Sequence, residues 1–141
     1  MSVNNILLVE DDVAFARFLI GCFRDVSPGL EMFHVNSGHA AMSVIHSGFV
    51  PDLIICEERM PRMGGAELLS NVRMSPSLQS APFYLFSSSW TDDAQAAQKH
   101  ALEVRVPRPR NYREGLALAG RVLSSLSPET PVIGAEQAVT I

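Results

Sequence analysis

The sequence predicts an α/β domain: a doubly wound, five-stranded parallel sheet in the order 2-1-3-4-5, with helices on both sides. Three observations carry that expectation. Short apolar runs alternate strictly with amphipathic helical patterns along the chain. The run Leu53-Ile54-Ile55-Cys56 is apolar throughout and rich in β-branched residues, as a strand buried on both faces requires. It ends abruptly in Glu57-Glu58 and a loop punctuated by Pro61, Gly64 and Gly65, the place where open α/β sheets hold their ligands.

Asn4 to Val9 reads as the first strand, closed by Glu10-Asp11-Asp12. From Val13 onward, Phe15, Phe18, Leu19, Cys22 and Phe23 recur at helical spacing, with Asp12 placed to cap the helix and Ser27-Pro28-Gly29 to end it. Glu31 to Val35 is the second strand. Asn36-Ser37-Gly38 then turns into a helix carrying Ala41, Met42, Val44 and Ile45, and Gly48 suits a left-handed C-terminal cap. After the third strand a helix from Gly65 to about Met74 turns Leu68, Leu69 and Val72 inward and stops at Ser75-Pro76. Pro82 to Phe86 is the fourth strand, followed by Ser87-Ser88-Ser89. Ser89 and Asp92 have capping-box spacing before a weakly apolar helix through Ala101, expected to pack shallowly and move. Glu103 to Val106 is the last strand, Pro107-Arg108-Pro109 a rigid corner, and Tyr112 to Leu126 the last helix. Right-handed crossovers make the flavodoxin-like strand order the commonest for five such units. Residues 1–126 form the expected domain. Residues 127–141 lose periodicity and read as a flexible tail, or the start of a linker.

At 141 residues and 47% hydrophobic, the chain is the size of one domain with an adequate core. A net charge of -4 and the lack of a recognition motif argue against nucleic acid and against an anionic membrane. Cys22 and Cys56 fall inside apolar patterns and are expected to be reduced. The apolar run Ile6 to Val9 is too short for a signal segment or a membrane span, so a cytoplasmic protein is expected. His34, His39, His46 and His100 show no metal-ligand spacing.

In the expected topology the first and third strands are neighbours, so Glu10, Asp11 and Glu57 converge at one edge of the sheet. Ionised carboxylates ~5 Å apart repel by roughly 3 kcal/mol per pair at an effective dielectric near 20. Such a cluster calls for a cation, a shared proton or strong hydrogen bonding. Oxygen ligands alone suit a hard ion such as Mg²⁺. The plainer alternative is that Asp11 and Asp12 only cap the helix.

The stretch from Leu53 to Gly65, together with Ile6-Leu7-Leu8-Val9-Glu10-Asp11-Asp12, Ser87 and Arg108-Pro109, resembles the receiver (CheY-like) domains of bacterial two-component response regulators over roughly residues 4 to 124. The resemblance implies an acidic pocket at Glu10 and Asp11 around Mg²⁺. It also implies a phospho-accepting position at Glu57, a hydroxyl at Ser87 that moves toward the phosphoryl group, and a cation at Arg108. The family's Lys-Pro bond is usually cis, which raises the cis form at Arg108-Pro109 against the ordinary trans preference. The departures matter as much. Glu57 stands where the family has Asp, Arg108 where it has Lys, Arg105 where it often has a switching Tyr or Phe, and Gly64 where its loop has Asp. An extra methylene moves the carboxylate outward, and a ~1 Å displacement costs roughly a hundredfold in phosphoryl transfer. Arginine's planar fork favours bidentate pairing with a carboxylate over point-charge contact with phosphate.

An internal Glu57–Arg108 ion pair is therefore expected, in an atypical receiver that acts through protein–protein contact, without enzymatic activity and without a resident cofactor. Two rivals stand beside it: a Mg²⁺-dependent phospho-accepting receiver, and a flavodoxin-like cofactor protein, against which the acids of Glu10-Asp11-Asp12 carry the wrong charge for a phosphate cradle. The partner implied is a histidine kinase, phosphotransfer or effector protein, or a second copy of the chain. Trp90, Arg105, Arg110 and Arg113 are the residues suited to that contact; a solvated surface is the plain reading of the arginines, and packing against neighbouring helices that of Trp90. Arg59 and Arg62 flank Met60-Pro61 beside the acidic site.

Overall fold

The structure is a computed structural model in which residues 4–87 and 102–125 are described. Its strands are β1 (Asn5–Val9), β2 (Glu31–Val35), β3 (Leu53–Glu57), β4 (Phe83–Phe86) and β5 (Glu103–Val106). Its helices are α1 (Val13–Val26), α2 (Gly38–His46), α3 (Gly65–Arg73) and α4 (Tyr112–Ser125). All strand pairs are parallel and the sheet order is β2-β1-β3-β4-β5, as the alternation of patterns predicts. Trp90, the expected helix through Ala101 and the tail of residues 127–141 lie outside the described residues.

Side chains alternate across a strand, and the sheet uses that alternation to build two cores. Ile6, Leu8, Leu53, Ile55 and Phe86 face α1 and α4, whereas Leu7, Val9, Ile54, Cys56 and Leu85 face α2 and α3. The central strands β1 and β3 are thus apolar at successive positions because neither face meets water. Cys22 and Cys56 are both buried and unpaired.

Local signals set the ends of the elements. Asp12 caps α1 by accepting the Phe15 N–H at 3.1 Å, and Ser37 caps α2 by accepting the Ala40 N–H at 3.0 Å. Gly48, just past α2, has φ of +109°, a conformation that only glycine adopts freely. Ser75-Pro76 ends α3 as expected, but the chain does not run straight into β4. Pro76–Leu78 forms a single 3-10 turn that buries Leu78, with Pro76 in the first turn, where its missing N–H costs nothing. Arg73 fastens this corner to the edge strand: its Nη1 donates to the carbonyls of Leu78 and Ala81, and its Nε donates to Glu103 on β5 at 2.9 Å.

At the start of α3 a side chain has no room. A Cβ at Gly65 would lie 2.8 Å from the Glu57 carbonyl oxygen and would overlap Leu85. Close approach of α3 to the end of β3 therefore depends on Gly65. Gly65→Ala is expected to lower unfolding free energy by about 1–3 kcal/mol, the usual cost of overpacking, as measured by urea denaturation.

Candidate functional site

Register across the sheet brings the functional side chains together. Val9 is opposite Cys56, Glu57 opposite Phe86, and Phe86 opposite Val106. Glu10 and Glu57 therefore sit level at the carboxyl ends of neighbouring strands, each two residues beyond a side chain (Leu8, Ile55) in the core beneath α1 and α4. Val106 belongs to that core too, so Arg108, two residues on, returns to the same side.

Arg108 is the hub. Its Nη1 contacts Glu57 Oε1 and lies 3.2 Å from Glu10 Oε1, while its Nη2 lies 3.5 Å from Asp12 Oδ2. Its Cζ sits 3.7 Å from the centroid of the Phe15 ring. The second oxygen of Glu57 is also engaged, accepting the Arg59 N–H at 3.1 Å. The expected Glu57–Arg108 pair is thus present as geometry, and it is larger than expected. Asp12, foreseen only as a helix cap, and Phe15, foreseen only as a core residue, both touch the guanidinium. No peptide is cis among the described residues, so the Arg108-Pro109 bond is trans. The ordinary preference of an X-Pro bond prevails there over the family habit.

Glu10 is fully buried. Its Oε2 accepts the Asp12 N–H at 3.1 Å, and its own carbonyl accepts a hydrogen bond from His34 Nε2 at 2.8 Å. Burial pushes its carboxyl up to about 7. The Asp12 N–H and the Arg108 guanidinium pull the other way, while Glu57 and Asp11 add to the rise. Asp11 stays exposed beside Glu10 and makes no contact with Arg108 among the described interactions.

The remaining residues singled out from the sequence are dispersed. Ser87 is buried one residue past β4, its N–H donating to the Val106 carbonyl at 3.0 Å. Arg105 is exposed with its Nη1 3.4 Å from Glu58 Oε2. Arg110 pairs with Glu114 at 2.9 Å across one turn, and Arg113 is exposed. The basic cluster read from the sequence is therefore largely matched by acids of the same chain. Arg62, also exposed, has φ of 67°, the one positive value at a non-glycine among the described residues, in the loop beside the site.

The acids as arranged do not fit a divalent ion. The guanidinium is already in contact with Glu57 and Glu10, and among the described residues no group of three His, Cys, Asp or Glu side chains is disposed to hold a metal.

A carboxyl whose folded value lies above its ordinary one stabilises the fold fully below the ordinary value and loses that contribution as pH rises through the folded value. For Glu10 the window runs from 4.5 to about 7. Glu10→Gln cannot ionise, so its unfolding free energy should gain on that of the wild type across this window, by up to about 3 kcal/mol, and then level off. Denaturant melts of both proteins across the pH range test this.

Comparison with known proteins agrees with the topology. The profile of the response regulator receiver domain matches residues 6–114. The Regulator of RpoS of Escherichia coli K12 is 38% identical over 70 residues, half of this chain, and the chain spans only 20% of that protein's length. Response regulator Rcp1 of Synechocystis is 25% identical over 116 residues, covering 77% of this chain and 79% of its own. Among solved structures, the phosphorylated cyanobacterial phytochrome response regulator RcpA superposes with a TM-score of 0.73 at 23% identity, covering 92% of this chain and 98% of its own. Chemotaxis regulator CheY4 of Vibrio cholerae gives 0.69 at 22% identity, covering 86% of this chain and all of its own. At such identities the two structures speak for the fold alone. With a matching profile over most of the chain, the 2-1-3-4-5 sheet, and acids and a cation meeting at its carboxyl edge, this protein belongs to the response regulator receiver domain family of two-component signalling.

Proposed function

We propose that this is an atypical receiver domain that passes a signal through protein–protein contact without being phosphorylated, its acidic site held in one state by Arg108. The observation that carries this reading is the occupancy of Glu57: one carboxylate oxygen contacts the Arg108 guanidinium and the other accepts the Arg59 N–H. An acyl phosphate forms only if one of these oxygens attacks a phosphorus atom in line, and each already holds a donor that competes for its lone pairs and fixes its direction. The guanidinium supplies one of the two positive charges that Mg²⁺ would bring, and its fork is engaged with carboxylates. Receivers work by contacting kinases and effectors. Here the partner is a protein of such a pathway in the cytoplasm, and Arg113 at the start of α4 is the arginine of the former cluster best placed to meet it, being exposed and outside the ion pairs described above. The chain itself catalyses no reaction in this reading.

The test is incubation with acetyl phosphate and Mg²⁺, read by intact mass and by acid-labile label. The wild type should remain unlabelled. The double variant Glu57→Asp, Arg108→Lys shortens the acid and replaces the fork by a point charge. It should take up label at least about a hundredfold faster, in line with the cost of ~1 Å misplacement. Stable label on Glu57 of the wild type would refute the proposal and favour a Mg²⁺-dependent phospho-accepting receiver.

A further inference from the structure

Phe15 carries no charge and no hydrogen-bonding group on its side chain, yet its ring touches the Arg108 guanidinium. Its ring lies beneath the guanidinium with Arg108 Cζ 3.7 Å from the centroid. The ring also packs edge to face with Phe86, centroids 5.7 Å apart at 81°, and lies tilted at 40° against Phe18 with centroids 5.8 Å apart. Its backbone is fixed as well: the Phe15 N–H donates to Asp12 Oδ1, and Asp12 Oδ2 reaches Arg108 Nη2. One carboxylate thus ties the residue under the guanidinium to the guanidinium's edge.

We propose that Phe15 is the positioning residue of this site: its ring seats the Arg108 guanidinium between Glu10 and Glu57 and so makes the arginine, rather than a free divalent ion, the resident cation. The inference rests on the reading of Arg108 given above. A planar, weakly hydrated guanidinium gains from lying over an aromatic face while its edges keep their hydrogen bonds. A hydrated divalent ion gains nothing from such a wall, because it needs oxygen ligands on every side and gives up its water reluctantly. An aromatic floor under a ring of carboxylates therefore discriminates between two cations of different shape. Glu10, Glu57 and Asp12 supply negative charge that either cation could use, and the ring decides between them.

The experiment compares the full-length wild type with Phe15→Leu, Phe15→Trp and Arg108→Ala. Two readouts are taken, the Arg108 Nε–Hε resonance by ¹⁵N-resolved NMR and Mn²⁺ affinity by the electron paramagnetic resonance of free Mn²⁺. In the wild type the ring current should displace Arg108 Hε upfield, and Mn²⁺ should bind weakly. Phe15→Leu should return that resonance to its solvent-exposed position and tighten Mn²⁺ binding about 3- to 30-fold, the worth of a cation–π contact. Phe15→Trp should keep the displaced resonance and the weak Mn²⁺ binding. Arg108→Ala should tighten Mn²⁺ binding more than Phe15→Leu does. If Arg108→Ala tightens binding but Phe15→Leu matches the wild type in both readouts, the role of Phe15 is overturned and the reading of Arg108 stands. If Arg108→Ala leaves Mn²⁺ affinity unchanged, Arg108 is not the resident cation, and both fall. Should Phe15→Leu fail to fold, the wild-type spectrum decides, since an undisplaced Arg108 Hε overturns the proposal by itself.

Discussion

The Arg108 guanidinium joins the acids at the carboxyl edge of this sheet. Parallel strands deliver their C-terminal residues to one side, and in this chain two of those residues, Glu10 and Glu57, are acids separated by one strand spacing. Glu10 is fully buried, so its charge has no solvent to lean on, and the Asp12 N–H compensates it only in part. Arg108 reaches across from β5 and contacts both acids at once. The positive charge that meets them here belongs to the chain itself.

Most of the architecture serves that placement. The alternation that separates the two cores also sends Glu10, Glu57 and Arg108 to the same face, because each lies two residues beyond a side chain of the core under α1 and α4. The Pro107-Arg108-Pro109 corner narrows the conformations open to the arginine, and α1 begins close enough to the end of β1 for Asp12 and Phe15 to close around it. Gly65 lets α3 approach the Glu57 carbonyl, which draws the β3–α3 loop in and brings the Arg59 N–H to the free oxygen of Glu57. These side chains form one connected set of contacts on the 2-1-3-4-5 sheet.

Much of this is legible in the sequence, for reasons that differ from element to element. The strands are readable because a strand with two buried faces cannot hide its apolar run, as Leu53 to Cys56 illustrates. The pairing of Glu57 with Arg108 follows from the resemblance to receivers, which puts both residues at one site, together with the shape of the guanidinium. Phe15 reads as a core residue because periodicity reports which face a side chain takes and says nothing of what lies over its ring; an arginine returning to that face from β5 is the available signal. Asp12 reads as a cap, and it is one, but a carboxylate has two oxygens and capping accounts for only the first. The arginine-rich stretch looks like an open basic surface in the sequence, since partners such as Glu58 and Glu114 become adjacent to it only through tertiary pairing and one helical turn. The 3-10 turn at Pro76–Leu78 escapes a reading of the sequence because a proline marks where a helix stops and leaves the conformation of the next residues open.

The central claim concerns which cation belongs between Glu10 and Glu57. A crystal structure of the wild type grown in excess Mg²⁺ tests it most directly. The expected result is the Arg108 guanidinium flat on Phe15 with its edges on both acids, and no ion at the carboxyl end of the sheet. An octahedral ion held by Glu10, Asp11 or Glu57, with the arginine turned out into solvent, would contradict it.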